Sequence, residues 1–379
     1  MADMPRQPDT DLPVGTVVLY PNRVHEPEHE VAVHHELGRR LAALLGYGFG
    51  GVYRPEDDYP GPLYFLPSDS LIGTDQARHL GIRSEADLFG GVVPQAFVAT
   101  KAITHPLLEP HGDAPDGWSR AFGEQVRDAV LAGYSAFTRD DALRAAERLL
   151  EAGPVRVKTV RATAGRGQMR VTDARQLRQV LDACDPVELA AYGVVLEENL
   201  DDVVTYSVGQ VRVGRQVASY YGTQSLTLDN QGETVYGGSD LVVARGDFDA
   251  LLTLTLPEPA RRAVEQARRY DRAADACFPG FFASRRNYDI AQGLDGAGRS
   301  RSGVLEQSWR VGGASAAEIV ALEGFAADPR ARAFRASTHE CFGVGQVPAD
   351  AAVLFHGLDA DLGFMSKYVK VEVYEDDPQ

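Results

Sequence analysis

Cysteine is scarce: Cys184, Cys277 and Cys341 are the only three in 379 residues, far apart in sequence. Zinc sites and redox motifs need close pairs, so neither is expected, and a reducing compartment, the cytoplasm, suits the chain best. Positive charge is in the minority too. The 38 Lys and Arg residues face 54 Asp and Glu, a net charge of -16 that repels nucleic acid and anionic membranes. Long apolar runs are missing, so no membrane span is expected, and residues 1–13 are polar and proline-bearing, unlike an export signal. Neither an internal repeat nor a low-complexity tract organises the chain. What is present, 44% hydrophobic and 24% charged residues over this length, suggests two or three packed units with clefts between them. The expected partner is a small molecule, and a homodimer is compatible with the chain.

The run Val17, Val18, Leu19 predicts a strand over residues 15–20, and the spacing of Val31, Leu37, Leu41 and Leu44 predicts a helix over 27–45. With a strand at 63–66 this makes a small α/β unit. Pro106, Pro110, Gly112, Pro115 and Gly117 mark a linker. Beyond it Ala142, Leu143, Ala146, Leu149 and Leu150 share one helical face, Gly153-Pro154 ends that helix, and a strand at 155–160, a helix at 174–181 and a strand at 194–196 follow. After Leu200, stretches at 206–213, 216–221 and 225–228 predict a β-meander, then come a helix at 259–276, strands at 288–294 and 303–309, and a tail mixing helix and a last strand. The expected class is α/β (α+β): an N-terminal α/β domain over 1–110, an α/β lid over 111–200 and a C-terminal antiparallel-sheet lobe over 201–379.

Two motif matches are set aside. GYGFGG at 46–51 follows a helix, whereas a dinucleotide fingerprint follows a strand, so it reads as a helix stop. His25 and His29 in HEPEH have zinc-protease spacing, but Pro27 puts His25 before the helix and His29 within it.

The chemistry gathers elsewhere. Lys158 ends the apolar strand PVRVK, and Gly165, Arg166, Gly167 and Gln168 follow in a loop whose backbone N–H groups would approach a phosphate; the competing reading is an edge lysine beside a plain hairpin. VVLEENL at 194–200 carries an apolar strand into Glu197 and Glu198, either a hinge for adenine and ribose or a solvated strand end. Asp289 and Glu306 flank a turn whose midpoint falls between Ala297 and Gly298, so a simple antiparallel register sets the two carboxylates opposite each other. Like charges so placed destabilise a hairpin unless a cation lies between them, which points to Mg²⁺; another register would leave both solvated. Glu306 and Ser308 then share a strand face, followed by Arg310 and Gly312-Gly313.

In this order the motifs resemble those of the ATP-grasp superfamily, over residues 97–314. The resemblance implies an ATP-grasp fold with ATP and Mg²⁺ as cofactors. It makes Lys101 and Lys158 the two nucleotide-binding lysines, residues 164–168 the phosphate loop, and Glu197 the hinge glutamate, with Glu198 and Leu200 beside adenine. Asp289 and Glu306 become the metal carboxylates, Ser308 stands where the family usually has an asparagine ligand, and Arg310 closes the motif. No ribose carboxylate follows Glu197 in register, leaving Asp201 or Asp202 for that place. The activity implied is a ligase that activates a carboxylate as an acyl phosphate for attack by an amine or thiol. Arg285, Arg286, Asn287 and the Gly237-Gly238-Ser239-Asp240 turn are the candidates for its substrate side. TYSVGQVRVG and FFASRRNYDIAQG suggest a bacterial family of unassigned substrate. A small-molecule kinase of the same fold and a non-catalytic ATP-binding regulator are the alternatives.

Overall fold

The computed structural model describes residues 14–159 and 168–375. Its first sheet is parallel, with β1 (Thr16–Tyr20) between β2 (Gly48–Val52) and β3 (Leu63–Pro67). A central parallel strand is covered on both faces, which is why β1 reads as an unbroken apolar run. Helix α1 (Glu28–Leu45) packs Leu37 and Leu41 on this sheet and stops at Gly46, whose φ of 69° needs glycine. The rest of GYGFGG continues at once as β2.

A second, antiparallel sheet has the order β4-β7-β5-β6, from β4 (Gly133–Ala136), β5 (Val155–Thr159), β6 (Gln168–Val171) and β7 (Val194–Glu198). Helices α2 (Arg139–Leu150) and α3 (Ala174–Asp182) cover one face with Ala142, Ala146, Leu177 and Leu181. The other face carries Lys158 and Glu197.

The largest sheet is built of eight antiparallel strands in the order β12-β11-β8-β9-β10-β13-β15-β14. They are β8 (Asp201–Val213), β9 (Gln216–Leu228), β10 (Thr234–Arg245), β11 (Arg285–Leu294), β12 (Ser300–Ser308), β13 (Ala333–Phe342), β14 (Ala352–Asp359) and β15 (Gly363–Val373). Helix α4 (Glu258–Cys277) packs Ala263, Val264, Ala267 and Tyr270 on one face. The opposite face meets α1 and α5 (Ser315–Ala327). Helix α5 is apolar nearly all round because it lies between sheet and helix. No described helix is long and apolar enough to cross a membrane.

Three expectations change. The stretches at 216–221 and 225–228 form one strand; Gly222 is there because a Cβ would lie 2.0 Å from the Asp240 carbonyl oxygen, a close approach rather than a break. Gly237 to Asp240 lie inside β10 and form no turn. The tail holds α5 and three strands where one was expected.

Candidate active site

Strand alternation decides which side chains meet. On β11, Arg285, Asn287 and Asp289 face α5, whereas Arg286 and Tyr288 face α4. The Arg286 guanidinium lies 2.9 Å from both Asp271 and Asp275 of α4. Arg286, expected toward substrate, is therefore a tie between sheet and helix, and Arg285, expected there too, is buried and held by Glu318 of α5.

Asp289 stands opposite Glu306 in the β11–β12 ladder, and Asn287 opposite Ser308. The register is not the simple one. Pairs nearer the turn run one residue out of step, and a bulge between Ile290–Val304 and Asp289–Glu306 leaves Leu305 without a ladder partner. Asp289 Oδ1 accepts hydrogen bonds from Asn287 Nδ2 at 3.1 Å and Gln224 Nε2 at 3.0 Å. Burial, and then the facing Glu306, push the Asp289 carboxyl up to about 6 in spite of those donors and Arg285. Glu306 Oε2 is 2.9 Å from Nζ of Lys101, a buried residue on the short 3-10 turn Lys101–Thr104.

A second charged group lies on the small sheet. Lys158 and Glu197, both buried, form an ion pair, and His105 Nε2 sits 3.1 Å from the other Glu197 oxygen. Burial works against the Glu197 charge, but Lys158 and His105 prevail and hold its carboxyl down to about 2. Glu197 thus faces Lys158 and His105, inside the protein. Glu198 accepts from the Ala132 N–H at 2.9 Å and lies 2.8 Å from Arg301. Leu200 packs with Leu131, Ala291 and Leu305 in an apolar cluster. Gln168 stands opposite Lys158 on β6, its Oε1 3.5 Å from Arg156. Gly165, Arg166 and Gly167 lie outside the described residues.

Behind the hairpin runs a buried network that the motif reading missed. Arg285 grips Glu318 of α5 with Nη2 at 2.8 Å and Nε at 3.0 Å. The Tyr220 hydroxyl is 2.6 Å from Glu318 and 2.8 Å from Asn287 Oδ1, which also accepts from Ser207 at 2.7 Å. Asn287 then donates to Asp289, so the chain from α5 fixes the Asp289 carboxylate. The i, i+2, i+4 spacing of Arg285, Asn287 and Asp289 was the available clue; Tyr220 and Glu318 come from distant sequence and left none. Arg285 Nη1 also donates to Ser308 Oγ at 3.3 Å and to the Arg310 carbonyl at 2.7 Å. The Arg310 side chain donates to the Val311 carbonyl at 3.0 Å and lies 3.6 Å from Asp69. Ser239 is buried with its hydroxyl 2.6 Å from Tyr236, while Asp240 turns outward to Arg335.

Among the described residues no three His, Cys, Asp or Glu side chains converge as a metal set. His29 is bonded to Asp359 at 2.8 Å, and His25, before the helix, lies 3.4 Å from Asp361.

The fold has solved counterparts. A biotin carboxylase from Campylobacter jejuni, solved as a β,γ-ATP complex, is similar with a TM-score of 0.50 and 11% identity, over 96% of this chain and 88% of that one. A phosphoribosylamine–glycine ligase from Thermotoga maritima is similar with a TM-score of 0.46 and 13% identity, over 96% and 93% of the two chains. A D-alanyl-alanine synthetase A from Vibrio cholerae gives a TM-score of 0.43 and 12% identity, over 79% and 90%. The fold is ATP-grasp-like, as the motif order leads one to expect; the biotin carboxylase likeness carries that statement. No curated protein matches the chain. A family model described as "Protein of unknown function (DUF3182)" matches residues 17–369, and the chain belongs to that family.

Proposed function

We propose that this chain is an ATP-grasp enzyme, a Mg-ATP-dependent, ADP-forming ligase that activates a small-molecule carboxylate as an acyl phosphate for attack by an amine or thiol. The observation that carries the reading is the ladder pair of Asp289 and Glu306, two carboxylates face to face with one pushed up to about 6. Such a pair is costly to keep unless a cation is to be held there. Mg²⁺ is commonly bound through one or two carboxylates and completes its shell with phosphate and water oxygens, so two carboxylates without a third fit it. Asp289 and Glu306 would hold the ion, which when bound would neutralise phosphate charge. Ser308, already accepting from Arg285, is a weaker candidate ligand than either.

In this reading Lys101 and Lys158 lie at the nucleotide phosphates, each paired with a carboxylate, Glu306 and Glu197. Gly165, Arg166, Gly167 and Gln168 supply the phosphate loop, Glu197, Glu198 and Leu200 the adenine hinge, and Arg310 stabilises charge on the transferred phosphoryl group. A substrate carboxylate oxygen attacks the γ-phosphorus as the bond to ADP breaks; the amine or thiol then attacks the acyl carbon and phosphate leaves. The protein's contribution is positioning and fixed charge, and no side-chain nucleophile is assigned. A cytoplasmic setting and a small-molecule substrate suit the acidic chain.

The test supplies Mg-ATP, panels of small carboxylates and small alcohols, and hydroxylamine as a general acceptor. Carboxylate-dependent ADP release with hydroxamate formation is expected. ADP release with a stable phosphorylated alcohol instead would make the enzyme a kinase, and failure to bind a non-hydrolysable ATP analogue would end the reading.

A further inference from the structure

Three loops meet where the N-terminal unit borders the hairpin: residues 22–23 follow β1, 68–70 follow β3 and 309–310 follow β12. The Asn22 and Arg23 N–H groups donate to Ser68 Oγ at 2.9 and 3.2 Å, the Asp69 N–H donates to Asn22 Oδ1 at 2.8 Å, and Ser70 Oγ donates to the Trp309 carbonyl at 3.2 Å. This stitching brings Arg23 and Arg310 to one junction. The chain leaves β1 for β2 on one side and later reaches β3 on the other, so Arg23 stands at the switch point of the parallel sheet, where open α/β sheets take ligands. It also lines a cavity of about 250 Å³ at the carboxyl ends of β1 and β3.

Neither guanidinium is used up. Arg23 Nη1 is paired with Glu30 at 2.5 Å, and its Nε and Nη2 make no hydrogen bond with a described residue. Arg310 Nη1 donates to the Val311 carbonyl at 3.0 Å, but its Nε lies 3.6 Å from Asp69, too far for a hydrogen bond. The side chains are 19% and 29% exposed, and neither contributes to the buried side-chain atoms that lack a partner among the described residues, so their idle N–H groups are open to a ligand. There is room beside Arg310: outside the adjoining residues, a Cβ on Gly312 would meet nothing nearer than Arg285 Nη1 at 3.9 Å and Arg310 Nη1 at 4.0 Å. The two charges also oppose each other. Burial and then Arg23 hold the Arg310 guanidinium below its ordinary basicity, in spite of Asp69. Two cations kept together with donors to spare ask for anions, and a carboxylate matches the planar fork of each.

We infer that the substrate is a dicarboxylate, with one carboxylate at Arg310 beside the hairpin and the second gripped by Arg23 of the N-terminal unit. Arg23 then decides between substrates, because a molecule with one carboxylate leaves its fork unfilled. That the carboxylate at Arg310 is the one phosphorylated rests on the ligase reading; that a dicarboxylate bridges the two arginines does not.

The experiment uses the nucleotide-free full chain and compares succinate, glutarate and adipate with butyrate, valerate and hexanoate by calorimetry and saturation-transfer NMR. The best dicarboxylate is expected to bind at least tenfold tighter than the monocarboxylate of the same length. Arg23→Gln should erase that advantage and leave monocarboxylate binding as in the parent, and Arg23→Lys should keep part of it. Against burial, Arg23 and then Lys367 hold the Glu30 carboxyl below its ordinary value, so Arg23→Gln does not strand Glu30 without a cation. Glu30→Gln should act in the opposite sense, tightening the dicarboxylate by releasing the guanidinium, whereas a merely structural tie between Arg23 and Glu30 would make the two variants alike. The proposal is overturned if no dicarboxylate surpasses its matching monocarboxylate, if folded Arg23→Gln keeps the advantage, or if Glu30→Gln loses it. Dicarboxylate binding of this kind without carboxylate-dependent ADP release sinks the ligase reading and leaves this inference standing; ADP release that monocarboxylates support as well as dicarboxylates sinks this inference alone.

Discussion

Replacing Asp289 with asparagine should make the metal-free, nucleotide-free protein more stable. The side chain keeps its volume, and its Oδ1 still accepts from Asn287 and Gln224. What is lost is a charge that burial and Glu306 oppose. The carboxyl is raised from 3.8 to about 6, so ionising it in the folded state costs about 3 kcal/mol at about 1.4 kcal/mol per pH unit. Solvent at this half-buried position reduces that to about 1–2 kcal/mol. The sign follows from the raised value: below 3.8 the carboxyl is protonated folded and unfolded alike, and the parent's penalty grows to its full size as pH rises through about 6. Urea denaturation in EDTA should therefore show Asp289→Asn ahead of the parent at pH 7.5, with the gap closing toward pH 4. Glu306→Gln should not share the gain, because Glu306 is a partner of the buried Lys101. Saturating Mg-ATP, which at a hundredfold excess over its dissociation constant adds about 2.7 kcal/mol to a protein that binds it, should put the parent ahead again. An Asp289→Asn protein clearly less stable than the parent in EDTA would refute the argument, and the metal assignment with it.

The buried pair on the small sheet gives two further expectations. Lys158→Ala should abolish tight binding of an ATP analogue in calorimetry and also cost about 3–5 kcal/mol of stability, since Glu197 keeps its charge with His105 alone; adding Glu197→Gln should restore part of that loss in urea melts. Because the Glu197 carboxyl is held down to about 2, its stabilising share is present above about 4.5 and disappears as pH falls toward 2, a slope that Glu197→Gln should lack in acid titrations of stability. Gly222→Ala should cost about 2 kcal/mol or more in the same melts, as its Cβ would meet the Asp240 carbonyl oxygen at 2.0 Å.

The fold class was legible because the order of strands and helices, and the apolar faces of α2 and α4, are local patterns. So was the facing of Asp289 and Glu306, though turn arithmetic alone omits the bulge that produces it. Arg285 and Arg286 show the limit of such reading. The strand begins at Arg285, three residues before the predicted start, and without that boundary the alternation that sends Arg286 to α4 has no origin. Helix α5 carries no amphipathic period because both its sides are covered, and β13 to β15 mix polar and apolar residues on half-exposed faces. Gln224 and Tyr220 reach the hairpin from another strand of the large sheet, and Glu318 from the helix packed on that sheet, which no short window records.

The bulge at Leu305 means that the hairpin has two independently specified ends. Between Leu294 and Ser300 the turn sets its own phase; between Asn287 and Ser308 the phase is held by Arg285, Asn287 and the α5 network, and one surplus residue reconciles the two. The tip is therefore a replaceable module, suited to carry a loop graft or a fluorophore without moving the carboxylates. The stretch from Glu306 to Ser308 has no such freedom: adding or removing one residue there would turn the acidic face over toward α4.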